Sequence, residues 1–196
     1  MSDDATIAFY DRDPTGYAQF AIDHGARESL IAFEKTLKRD ADVLDLGCGG
    51  GQDSAWLREH GHNVVSMDAS AGLAREAKRR FGIDVRVGEF TTLADIAAYD
   101  GVWCAAALHH EQAAALPAIV ARVAAALRPG GMFAATMKGA PQDRRDGIGR
   151  FYCAMDAASA RALFDARWIK VVVVERVGEG FDAVATPWLI ISAQRA

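Results

Sequence analysis

Apolar residues in this chain alternate between short β-branched runs and longer segments with helical spacing. The short runs predict strands over residues 42–46, 63–68, 84–87, 99–105, 132–137, 171–177 and 188–193. The longer segments predict helices over residues 17–39, 52–60, 70–81, 93–97, 111–127 and 156–166. This alternation predicts an α/β fold with a doubly wound, mostly parallel seven-stranded sheet and helices on both faces. The short connection between the last two strands predicts an antiparallel hairpin at one edge.

The amino-acid composition excludes several classes of protein. The 196 residues fit one domain over residues 1–196, and a hydrophobic fraction of 51% excludes global disorder. The net charge of −4 argues against general affinity for nucleic acid, and no apolar run is long enough for a membrane span. The acidic N-terminus does not resemble a signal peptide, and three cysteines without a CxxC pair predict no disulfide framework and no metal site. We therefore expect a cytoplasmic monomer or homodimer.

A glycine cluster follows the first predicted strand. Residues 47–51 read Gly-Cys-Gly-Gly-Gly, and Asp45 lies two residues before them. Glycine at such a turn lets the backbone bend sharply and lets a ligand lie directly against it. The cluster is not a P-loop because no Gly-Lys-Ser/Thr follows, and Gln52 occupies the third glycine position of the dinucleotide pattern GxGxxG.

Three segments in a fixed order resemble one family. Residues 43–51 (Val-Leu-Asp-Leu-Gly-Cys-Gly-Gly-Gly) resemble the first motif of class I S-adenosylmethionine-dependent methyltransferases. Asp68 ends the second strand 17 residues beyond Gly51, and residues 127–131 (Leu-Arg-Pro-Gly-Gly) resemble a late turn of the same family. The resemblance extends from about residue 42 to residue 138, and the loop that follows is similar to that of small bacterial methyltransferases grouped with tellurite-resistance proteins. The implied cofactor is S-adenosylmethionine.

The resemblance implies a set of cofactor contacts. Asp45 would reach the methionyl amino group, Asp68 would hold the ribose hydroxyls, and the segment at Glu89 would line the adenine, although aspartate is more usual there. The full set of residues implied to contact the cofactor is Asp45, Gly47, Cys48, Gly49, Gly51, Asp68, Ala69, Glu89, Phe90, Ala105 and Tyr17.

The family architecture implies that an N-terminal helical lid (residues 1–40) and the loop over residues 138–155 surround the methyl acceptor. The predicted acceptor contacts are Tyr10, His109, Lys138, Arg150 and Tyr152. Four basic residues between positions 138 and 152 indicate an anionic acceptor, and a solvated loop is the alternative interpretation. His109 is either a general base or substrate contact, or a packing residue, and His110 is expected to be exposed.

The leading functional hypothesis is a methyltransferase that transfers the sulfonium methyl group in line to a small-molecule acceptor. Two alternatives remain open. The chain could bind S-adenosylmethionine without catalysis, as a sensor or partner subunit, or it could methylate RNA or protein.

Overall fold

The protein is described here from a computed structural model that covers residues 3–25, 27–179 and 185–196. The helices are α1 (Asp4–Arg12), α2 (Pro14–His24), α3 (Arg27–Glu34), α4 (Gln52–Glu59), α5 (Ala71–Phe81), α6 (Leu116–Ala126) and α7 (Ala157–Arg161). The strands are β1 (Asp42–Leu46), β2 (Asn63–Asp68), β3 (Val85–Val87), β4 (Tyr99–Ala105), β5 (Leu127–Lys138), β6 (Arg144–Arg145), β7 (Phe151–Tyr152), β8 (Trp168–Glu179) and β9 (Ala185–Arg195). None of the helices in these ranges is long and apolar enough to cross a membrane.

Seven strands form one sheet in the order β3-β2-β1-β4-β5-β9-β8. The strands from β3 to β5 pair in parallel, whereas β9 runs antiparallel to both β5 and β8. This arrangement confirms the predicted fold class, including the antiparallel edge hairpin. The central parallel strands are buried on both faces, with one apolar cluster around α6 and another around α3 and α4.

The N-terminal segment differs from the single helix predicted over residues 17–39. Three helices occupy this region, and the first of them begins at Asp4, well before the predicted start. The break between α1 and α2 has a local cause, because Asp13 accepts a hydrogen bond from the Gly16 amide and Pro14 begins the next helix. The prediction did not take into account that an aspartate cap followed by proline begins a new helix.

Other elements of the structure also differ from the predicted ones. The helix predicted over residues 93–97 is absent, and a single 3-10 turn at Phe90–Thr92 precedes this segment instead. Helix α6 begins at Leu116 rather than at residue 111, with Pro117 in its first turn, and α7 ends at Arg161 rather than at residue 166. The prediction also missed the hairpin formed by β6 and β7, because two-residue strands are too short to produce a recognisable hydrophobic period.

Helix α1 is tied at both ends to elements distant in sequence. At its start, Asp3 pairs with Arg145 of β6, and the Thr6 hydroxyl accepts a hydrogen bond from the Phe151 amide at 2.9 Å. At its end, the Asp11 carboxylate accepts hydrogen bonds from the Ser70 hydroxyl and the Gly72 amide at the start of α5. These contacts hold α1 across the carboxyl ends of the parallel strands.

Candidate cofactor and acceptor site

A cavity of about 460 Å³ lies between α1, α2 and the carboxyl ends of β1, β2, β4 and β5. This is the edge at which open parallel sheets bind their ligands. Most of the residues that the sequence singled out line this cavity: Asp45, Gly47, Cys48, Gly49, Asp68, Ala69, Phe90, Ala105, Tyr10, Tyr17, His109, Lys138, Arg150 and Tyr152. Gly51 and Glu89 are not among the lining residues.

The glycine loop is shaped by hydrogen bonds to β2. The amides of Gly47 and Cys48 both donate to the Met67 carbonyl, at 2.7 and 3.0 Å. Gly49 has a φ of +54°, and a methyl group placed on its Cα would meet no atom within 4 Å. The backbone at Gly49 is therefore open to the cavity, as close approach of a ligand requires.

Gly51 has a packing role instead. Its φ is +81°, and an added Cβ would lie 2.9 Å from the Cβ of Ala77 in α5. Gly51 thus packs the loop closely against α5, and its cofactor contact stays a prediction. Cys48 is buried, and burial raises the pKa of its thiol, so the side chain stays neutral.

Glu89 lies between two lining residues, Gly88 and Phe90, and its adenine contact stays a prediction.

Replacement of Gly47 by alanine is expected to destabilise the fold by about 2–3 kcal/mol. Its φ is +77°, and an added Cβ would lie 2.6 Å from the Cβ of Ala107, so strain and overpacking combine. Gly49→Ala is the matched control, since it carries the same backbone strain without the clash and should cost about 1 kcal/mol. Urea unfolding measures both variants, and equal losses would contradict the close contact.

Asp68 joins the glycine loop to the start of α5. Its two carboxylate oxygens accept hydrogen bonds from the amides of Gly49 and Ser70, each at 2.8 Å. Burial raises the pKa of Asp68, while these two amide bonds lower it. Each carboxylate oxygen can accept more than one hydrogen bond, so the side chain retains capacity for a pair of ligand hydroxyls.

Two further carboxylates lie at the other end of the glycine loop. Asp45 is buried and accepts a hydrogen bond from the Ser54 hydroxyl at 2.6 Å, and Ser54 in turn contacts the Ser66 hydroxyl. Asp53 in α4, which the sequence analysis missed, accepts from the indole N–H of Trp103 at 2.8 Å. Burial is the main cause that raises the pKa of both carboxyls. Nearby charged side chains also change each of these pKa values.

The chemistry of these groups fits S-adenosylmethionine. A pair of buried carboxylates with raised pKa values favours a cationic ligand group such as the methionyl ammonium, because a nearby positive charge stabilises their ionised form. Asp68 offers acceptors for ribose hydroxyls, and the ring of Phe90 offers an apolar wall for a base. Asp45, Asp68 and Phe90 would therefore hold the cofactor in the order that the sequence analysis expected.

His109 is held in one neutral tautomer. It is buried, and its Nδ1 atom lies 3.0 Å from the backbone nitrogen of Lys138. A backbone N–H can only donate, so Nδ1 accepts and the ring proton lies on Nε2. Burial lowers the pKa of His109 well below its ordinary value, with nearby His110 and basic residues adding to the effect. This arrangement opposes the predicted general base and makes His109 a hydrogen-bond donor.

His110 has the opposite tautomer. Its Nδ1 atom lies 2.6 Å from the Phe151 carbonyl oxygen, which can only accept, so Nδ1 carries the proton. Burial lowers the pKa of His110 to about 4, and Nε2 therefore accepts from the Tyr10 hydroxyl at 2.8 Å. The expectation that His110 is exposed is wrong, because the side chain is half-buried and lines the cavity.

Basic and aromatic side chains form the other end of the cavity. The Lys138 ammonium lies 5.2 Å from the ring centre of Tyr152 and 5.8 Å from that of Trp188. Arg150 is buried, donates to Asp146 at 2.8 Å, and lies over the rings of Phe9 and Tyr152. We call Lys138, Arg150, Tyr152 and Trp188 the basic-aromatic wall. Trp188 is the one member of this wall that the sequence analysis did not name.

Within the described ranges, no group of three or more His, Cys, Asp or Glu side chains is arranged to hold a metal ion. The fold is a Rossmann-like domain, and its cavity at the carboxyl ends of the parallel strands fits a nucleoside-containing ligand. Its glycine loop and acidic pair differ from both a P-loop and a dinucleotide site.

Comparison with known proteins shows which proteins the chain is similar to. A family model described as a methyltransferase domain matches residues 43–131. An uncharacterised methyltransferase from Synechocystis sp. is 36% identical over 100 residues, which make up 47% of this chain and 44% of the relative. A malonyl-[acyl-carrier protein] O-methyltransferase from Enterobacter lignolyticus is 37% identical over 136 residues, or 67% of this chain and 53% of the relative. The chain thus spans about half the length of these curated relatives.

A solved structure extends the comparison to nearly the whole fold. The 1,6-didemethyltoxoflavin-N1-methyltransferase of Burkholderia thailandensis, with bound 1,6-didemethyltoxoflavin and S-adenosylhomocysteine, has a TM-score of 0.76 and 24% sequence identity. The match covers 98% of this chain and 88% of the Burkholderia chain. The chain is therefore similar to S-adenosylmethionine-dependent methyltransferases over residues 43–131 and shares the fold of a solved member of that class.

Proposed function

We propose that this protein is an enzyme that transfers the methyl group of S-adenosylmethionine to a small anionic acceptor. One observation carries the proposal: a single cavity joins the acidic glycine-loop end to the basic-aromatic wall. When bound, the cofactor supplies a methyl group that its sulfonium has already activated. The chain's task is to hold donor and acceptor in one continuous pocket with their reacting atoms aligned.

The hydrogen bonds of the two histidines support an acceptor that needs no general base. The Nδ1 lone pair of His109 accepts from the Lys138 amide, and the Nε2 lone pair of His110 accepts from the Tyr10 hydroxyl. Neither imidazole can take a proton from the acceptor without losing its existing bond. The nucleophilic atom of the acceptor is therefore expected to arrive already deprotonated.

The basic-aromatic wall supports an anion over a cation. Buried Lys138 places a positive charge along the cavity that would repel a cationic amine, whereas the charge of Arg150 is balanced by Asp146. The proton on His109 Nε2 adds a neutral donor at the same end. Two named proteins similar to this chain differ in acceptor, since one acts on a malonyl-[acyl-carrier protein] and the other binds 1,6-didemethyltoxoflavin. The acceptor class is therefore argued from this chain's own cavity.

The test combines cofactor binding with an acceptor panel. Calorimetric titration should show micromolar binding of S-adenosylhomocysteine and no binding of NADH. Methyl-labelled S-adenosylmethionine should then label small carboxylates, acidic phenols or thiols, and should not label primary amines. Lys138→Met should suppress this labelling while S-adenosylhomocysteine still binds, and Lys78→Met on the surface should change neither quantity.

Two results would contradict parts of the proposal. Labelling of amines in preference to anions would remove the argument from the basic-aromatic wall. Binding of S-adenosylhomocysteine without transfer to any member of the panel or to RNA would instead favour a non-catalytic sensor or partner subunit.

A further inference from the structure

Gln52 is the first residue of α4, directly after the glycine loop, and it lines the cavity. Its side-chain oxygen Oε1 is buried, and no hydrogen-bond donor reaches it within the part of the chain that the structure describes. A buried amide oxygen without a donor is rare in native proteins, because it has lost its water without gaining a replacement. Such an atom in a cavity wall points to a donor that a ligand supplies.

The surroundings of Gln52 indicate which kind of donor this is. Oε1 lies on the loop side of α4, 3.7 Å from the position that a Cβ on Gly50 would occupy. The neighbouring residue Asp53 and the carboxylate of Asp45 line the same cavity. Gln52, Asp45 and Asp53 thus line a common space, and a primary ammonium has three N–H donors and the charge that matches the carboxylates.

We propose that Gln52 binds the amino-acid end of S-adenosylmethionine and S-adenosylhomocysteine. Oε1 accepts a hydrogen bond from the ligand ammonium, and the amide nitrogen can donate to the ligand carboxylate. Gln52 thereby acts as a binding residue that distinguishes a ligand with an amino-acid end from a nucleoside without one. This inference rests on the proposed function, since it takes the cofactor class from it.

The position of Gln52 in the glycine-loop sequence agrees with its assignment as a binding residue. Gln52 lies where the dinucleotide pattern has its third glycine, and that pattern needs the glycine so that the helix can approach closely. A long amide at this position fills space at the helix start and adds a polar group to the cavity. The substitution of glycine by glutamine is therefore consistent with recognition of an amino acid rather than of a pyrophosphate.

Two ligands and three variants test the proposal. Calorimetry on Gln52→Leu should give an affinity for S-adenosylhomocysteine about fivefold to tenfold below wild type, with an unchanged affinity for 5′-methylthioadenosine, which lacks the amino-acid end. Gln52→Glu keeps an acceptor for the ammonium but loses the amide donor to the ligand carboxylate, and should have an affinity for S-adenosylhomocysteine between those of wild type and Gln52→Leu. The exposed Gln112→Leu is the matched control and should change neither affinity.

The thermal midpoint of the free protein supplies a second readout. Because Gln52→Leu removes a buried acceptor without a donor, the variant should unfold at the same temperature as wild type or higher. Equal losses of affinity for both ligands, or no loss for S-adenosylhomocysteine, would overturn the assignment of Gln52. If wild-type protein binds neither ligand, the proposed function itself fails, and this result is distinct from the other two.

Discussion

Asp68→Ala is expected to lower the affinity for S-adenosylhomocysteine between about tenfold and about a hundredfold. Hydrogen bonds to a charged carboxylate contribute about 1.5–3 kcal/mol, and the variant removes those that the ribose hydroxyls would make. The variant also removes the acceptor that holds the Gly49 amide, so the loop that lies against the ligand loses its anchor. Both losses act in the same direction, because a mobile loop must be ordered again on binding.

Calorimetry on graded variants measures the combined effect. Asp68→Asn keeps one side-chain oxygen and should retain an intermediate affinity for S-adenosylhomocysteine. Asp84→Ala removes a carboxylate from an exposed pair with Lys78 and should bind as wild type does. An unchanged affinity in Asp68→Ala would contradict both effects, because each of them is expected to weaken binding.

The sequence predicted the cofactor half of the site because that half is local. Asp45, the glycine loop and Asp68 end adjacent parallel strands, so strand order alone brings them to one edge of the sheet. Asp53 could also have been found, because it is an acidic residue in the first turn after the loop. Its bond to Trp103 joins residues 50 positions apart and has no sequence signal.

For the acceptor half of the site, the sequence predicted which residues take part but not how they contact one another. The contact between Tyr10 and His110 spans 100 positions, and the bond from Phe151 to Thr6 spans 145. The proton positions on the two histidines follow from partners such as the Lys138 amide, which no spacing rule identifies. Hence sequence reasoning named His109 as a cavity residue but left its role open between general base, substrate contact and packing residue.

Arg150→Ala is expected to lower the free energy of unfolding by about 3–5 kcal/mol. The side chains of Arg150 and Asp146 are 3% and 6% exposed and lie 2.8 Å apart, so the variant leaves a buried carboxylate without its counter-charge. Urea unfolding measures this loss. Arg167→Ala is the matched control, because it removes the partner of Asp165 in an exposed pair and should cost less than about 1 kcal/mol.

The pH dependence of Arg150→Ala distinguishes a lost ion pair from lost packing. Hydrogen bonds and charge from Arg150 overcome the effect of burial and hold the pKa of Asp146 below its ordinary value. A lowered pKa in the folded state contributes stability that is present above the unfolded pKa and is lost as the pH falls through the folded value. The difference in unfolding free energy between wild type and Arg150→Ala should therefore shrink as the pH falls below about 4. A difference that stays constant with pH would instead assign Arg150 to packing against Phe9 and Tyr152.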